Sequence, residues 1–166
     1  MAGKPPSDNK PMSNEEFRQT AQDMMYDDLR KASDFKLPAR TRFMYLSGAI
    51  DNAEIYRSEF GVRGMPEALV DRQASERALR SLGQIALIEQ ARMMNGNPTP
   101  VGTNGWLQRE ALLKSTEEII KEMARRGLQS EDQSYAVFGG KQRFDQLKAE
   151  AAAKRDIKIE EKAAVK

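Results

Sequence analysis

Helix breakers lay out the plan of this chain. Its glycines and prolines gather at Pro38, at Gly61 to Pro66, from Asn95 to Gly105, at Gly127, and at Gly139 with Gly140; between these breaks apolar residues recur every three or four positions. Such spacing puts apolar side chains on one face of a helix. A strand-like alternation occurs only at Ile157, Lys158 and Ile159, where a short strand added to a partner's sheet edge is the alternative to helix. The pattern predicts an all-α fold, an open helical bundle or helical hairpins with extended terminal segments.

Residues 1–12 carry three prolines and almost nothing apolar, which predicts a disordered N-terminal arm. Ser13 with Glu16 has the form of a capping box, and Phe17, Ala21, Met24, Met25 and Leu29 follow at helical spacing to about Ala32. Phe43, Leu46, Ile50, Ala53 and Tyr56 mark a second helix after Pro38, stopped by Gly61; Gly48 within it suits a close helix contact or is merely tolerated. Glu67 to Met94 reads as one helix of roughly 42 Å, with Val70, Ala74, Ala78, Leu82, Ile85, Ala86 and Ile88 as its apolar face. These helices make an N-terminal helical region, residues 13–94. A loop follows over 95–105.

The C-terminal helical region covers 106–140. Its main helix, from Trp106 to Arg126, carries Leu112, Leu113, Thr116, Ile119, Ile120 and Met123 on one face, and Gly127 before Leu128 suits a Schellman stop. Residues 141–166 form a charged helical tail, rich in alanine, which Phe144, Leu147 and Ala151 tie down over its first turns. Removing 142–166 is therefore expected to weaken association while the remainder keeps most of its helicity.

Among 166 residues there is no histidine and no cysteine. That removes imidazole proton transfer, thiolate attack and the two commonest soft metal ligands, leaving carboxylates, lysines and hydroxyls for any chemistry. The 27 basic and 25 acidic residues nearly balance at +2, unlike a dedicated phosphate-backbone binder. No apolar run is long enough to span a bilayer, so a soluble chain is expected, in the cytoplasm or incorporated into a virion.

Gly139, Gly140 and Lys141 invite comparison with a phosphate loop, but Tyr135 and Gln142 stand where that pattern needs glycine and a hydroxyl residue; a helix break is the expected reading. The acidic pairs Asp27 with Asp28 and Glu117 with Glu118 point about 100 degrees apart on a helix, so they read as solvated faces. The turn from Phe60 to Pro66 is only loosely similar to a helix-turn-helix corner.

These features lead to an expected non-catalytic assembly or adaptor subunit of a larger complex, an oligomer or a virus or phage particle component, with other protein subunits of the same or a different chain as partners. In style the chain is similar to many virion accessory proteins, a likeness that rests on no motif. No enzyme activity, cofactor or metal is expected. Met93, Met94, Trp106, Tyr135, Phe138, Phe144 and Leu147 are the candidate partner contacts, since methionine and aromatic side chains suit adaptable interfaces, although most of the methionines read as ordinary core and Trp106 reads first as a cover for the core. The alternative is a helical DNA- or RNA-binding regulator, with Arg77, Arg80, Arg125 and Arg126 as candidate phosphate contacts.

Overall fold

The computed structural model describes the backbone of residues 14–96 and 103–165, with seven helices and no strand among them. The N-terminal arm, Ser13 of the capping box and most of the 95–105 loop lie outside the described residues. The fold is all-α. Its elements are α1 (Asn14–Ala32), α2 (Ala39–Phe60), α3 (Glu67–Val70), α4 (Arg72–Gly96), α5 (Thr103–Arg125), α6 (Glu131–Ala136) and α7 (Lys141–Val165). Residues 157–159 belong to α7, so the strand alternative there is replaced by helix.

Helices α1 and α2 form an antiparallel hairpin, keyed at its open end by Tyr56. Its hydroxyl accepts hydrogen bonds from Arg18 Nε (2.9 Å) and Gln22 Nε2 (3.2 Å), and donates to the Arg63 carbonyl (2.7 Å). Gln22 also donates to the Gly64 carbonyl, so α1 grips the turn that leaves α2. Gly48 faces this hairpin: a Cβ there would lie 3.5 Å from Asp28 Oδ2, ordinary contact distance.

The long helix expected from Glu67 is two helices. Asp71 is extended (φ −88°, ψ 105°), and its Oδ1 accepts a hydrogen bond from the Ala74 amide, capping α4. Arg57 on α2 donates to the carbonyls of Leu69 and Val70, satisfying the end of α3. An aspartate cap thus ends one helix and starts the next without glycine or proline.

The buried face of α4 also differs from the expected one. Ser75, Leu79, Leu82, Ala86, Leu87, Gln90, Ala91 and Met94 are buried, whereas Val70, Ile85 and Ile88 are exposed. Two polar residues sit on the true core face. Gln90 Nε2 donates to Thr116 Oγ1, whose hydroxyl donates to the Leu112 carbonyl at 2.8 Å, so a buried amide is satisfied between α4 and α5.

Helix α5 starts at Thr103, three residues before Trp106, and ends in the expected Schellman motif: Leu128 N–H bonds the Met123 carbonyl and Gly127 N–H that of Ala124, with Gly127 at φ +73°. After α6 the same motif recurs. Gly140 N–H bonds the Tyr135 carbonyl and Gly139 N–H that of Ala136, which makes the glycine pair a helix stop. Helix α7 then runs antiparallel to α5. Phe144, Leu147 and Ala151 are buried against it, and Phe144 meets Tyr135 and Phe138 edge-on at centroid distances of 5.1 and 5.3 Å.

Candidate interaction surface

Six of the seven candidate partner residues are in the chain's own core. Met94, Trp106, Tyr135, Phe138, Phe144 and Leu147 are buried, and only Met93 is exposed, at 58%. Trp106 covers the start of α5, with the Arg109 guanidinium and Lys154 ammonium against its ring at 5.9 and 5.2 Å.

The four candidate phosphate contacts divide in two. Arg126 is nearly buried at the crossing of α2 and α5, where it donates to Glu122 (2.6 Å), Ser47 Oγ (2.8 Å) and Asp51 (2.7 Å). Arg125 donates to both carboxylate oxygens of Glu122, at 2.9 and 2.6 Å, and shares Oε2 with Arg126. The Arg125 guanidinium, helped by that of Arg126, holds the Glu122 carboxyl down to about 2 against the opposing effect of burial. A carboxylate so placed stays anionic and clamps two helices.

Arg77 and Arg80 differ: both project from the exposed face of α4, and neither they nor Arg92 make a hydrogen bond or ion pair with a described residue. Arg77, Ser81, Ile85, Ile88 and Arg92 follow one another along a single ridge at helical spacing, with Arg80 beside it. Ile85 and Ile88 are 48% and 43% exposed at the middle of this ridge. No carboxylate stands on it. Glu76 is directed to Arg72 (4.0 Å), and Glu89 accepts a hydrogen bond from the Ala39 amide at the start of α2. Glu76 lies four residues from both Arg72 and Arg80 in sequence, a spacing that suits a face of mixed charge, yet among the described residues it meets only Arg72, which leaves Arg77 and Arg80 with Arg92 and the isoleucines. Ile85 and Ile88 fall on the apolar face that the spacing implies because the 3.6-residue period admits two neighbouring faces when the true one contains Ser75 and Gln90.

A depression of about 710 Å³ lies between α5 and α7. Leu107, Ala111, Ala149 and Ala152 give it apolar walls, and its rim carries the ion pairs Glu117 to Lys148 (2.9 Å) and, beside it, Glu110 to Arg155 (2.6 Å). Both of its carboxylates are paired, while Lys114, also in the lining, makes no ion pair with a described residue. The described residues hold no group of three or more acidic side chains able to share a metal ion, and no helix long and apolar enough to cross a membrane.

No protein-family model, curated protein or solved structure matches the chain.

Proposed function

We propose that the chain is a non-catalytic helical assembly or adaptor subunit of a larger protein complex, such as a virus or phage particle, and that the exposed ridge of α4 is its principal contact. The observation that supports this reading is the pair Ile85 and Ile88, half exposed and flanked by arginines that have no hydrogen-bond or ion-pair partner among the described residues. Water around two adjacent isoleucines is released when a partner covers them, and arginine on the rim adds orientation and selectivity.

Size fractionation of the protein from its native source tests the reading. A mass well above the 18.7 kDa of one chain, returning to that of one chain when Ile85 and Ile88 are both replaced by Asp, is the expected result. A monomer under native conditions would count against it.

A second reading, a helical nucleic-acid regulator, draws on the same unpaired arginines. It predicts tight duplex binding at low salt that falls steeply as salt rises; no binding at low salt would remove it.

A further inference from the structure

Resting on the assembly reading, we infer that the partner of the α4 ridge is an acidic amphipathic helix. The ridge from Arg77 to Arg92 spans about 22 Å, four helical turns, with apolar side chains at its middle and positive charge at both ends. A helix laid along it would bury two or three apolar residues on Ile85 and Ile88 and place carboxylates within reach of Arg77, Arg80 and Arg92.

Charge selects this occupant over two others. A second copy of α4, paired antiparallel about the midpoint of Ile85 and Ile88, would bring its Arg92 opposite Ser81 and beside Arg77 and Arg80, cation against cation. A phosphate backbone would satisfy the arginines but leave the isoleucines at the centre of the contact with nothing apolar to cover them. An acidic amphipathic helix satisfies both. Glu89 accepts from the Ala39 amide, and Glu76, whose one ion-pair contact among the described residues is Arg72 at 4.0 Å, pairs with neither Arg77 nor Arg80.

The test is a fluorescence-anisotropy titration of the full chain with a labelled, helix-stapled peptide that carries two leucines flanked by glutamates at the ridge spacing. The same peptide with lysine for glutamate and a 20-base-pair DNA duplex are titrated in parallel. The glutamate peptide is expected to bind at least about tenfold more tightly than the lysine peptide, and to lose about tenfold on Arg77→Glu with Arg92→Glu. Ile88→Asp should weaken it comparably, while Lys114→Glu in the α5 and α7 depression should leave binding unchanged. Circular dichroism confirms that each variant is folded. Equal binding of both peptides, or none of the glutamate peptide, overturns the inference. So does duplex binding that is tighter than peptide binding and is lost on the same arginine changes. Because native mass is measured separately, a chain that assembles in its source but ignores the acidic peptide would refute the partner's chemistry alone.

Discussion

Gly83 on α4 lies against Met123 on α5 so closely that a Cβ added to it would come within 2.5 Å of the methionine Sδ, and within 3.0 Å of the Phe43 ring on α2. Three helices therefore meet at a position that has no room for a methyl group.

Gly83→Ala should gain no stability despite the better helix propensity of alanine, and should cost about 1 kcal/mol net as Met123 and Phe43 are displaced. Gly48→Ala, whose new methyl would rest 3.5 Å from Asp28 Oδ2, should instead stabilise by up to about 1 kcal/mol. Urea unfolding of the two variants beside the native chain distinguishes these opposite outcomes. Equal effects would mean that the α2, α4 and α5 junction is looser than this packing.

The Glu122 clamp should give the protein an acid-sensitive component. Because its folded value is depressed from 4.5 to about 2, the stabilisation it contributes is complete above the ordinary value and is lost as pH falls from about 4.5 toward 2. Glu122→Gln should be less stable than the native chain at pH 7 and approach it near pH 2.5. At neutral pH, Arg126→Ala should cost about 2 kcal/mol through its bonds to Glu122, Ser47 and Asp51. A pH-independent difference for Glu122→Gln would show that the carboxylate is not clamped in solution.

Asp71→Ala should cost about 1 kcal/mol by removing the cap on the Ala74 amide. Asp71→Asn or Asp71→Ser should recover most of it, since either side chain can accept the same bond. Thermal unfolding of the three variants provides the check, and an alanine variant as stable as the native chain would mean that α3 and α4 can join into one helix without penalty.

Deleting 142–166 should now destabilise the whole C-terminal half, because Phe144, Leu147 and Ala151 are core residues and loss of the phenylalanine alone is worth about 3–5 kcal/mol. Deleting only 157–166 should leave the unfolding transition of the remainder nearly unchanged. Near-ultraviolet circular dichroism of Trp106, which lies against Lys154, reports the first loss directly.

The helices were legible in the sequence wherever one stripe was purely apolar. Phe43, Leu46, Ile50, Ala53 and Tyr56 are all buried as their spacing implies, and the stops at Gly61, Gly127 and Gly140 follow from glycines at positive φ. The division at Asp71 was not legible, because a capping aspartate within an apolar pattern looks like any polar position until the amide three residues on is seen to bond it. The face of α4 was misplaced for a related reason. A core stripe that includes Ser75 and Gln90 scores as less apolar than the neighbouring one with Ile85 and Ile88, and only the buried partners on α5 reveal which faces inward. The candidate surface was half visible: the arginines at 77 and 80 were singled out, but their separation from Glu76 depends on where that glutamate turns.

The ion pairs between α5 and α7 do not by themselves fix how the two helices align. Glu110 and Glu117 are seven residues apart, and so are Lys148 and Arg155, which they meet; Lys141 continues the same interval. Slid by one heptad, about 10.5 Å, α7 would set Lys141 against Glu117 and Lys148 against Glu110, an ion-pair ladder as complete as the native one. The slipped form is rejected by bulk: Phe144 would be driven into the space that fits Ala151, and the edge-on cluster with Tyr135 and Phe138 would be left without its third ring. Registration of this hairpin is thus a steric decision made by one aromatic ring, with the charges acting as a repeating scale that would accept the wrong notch.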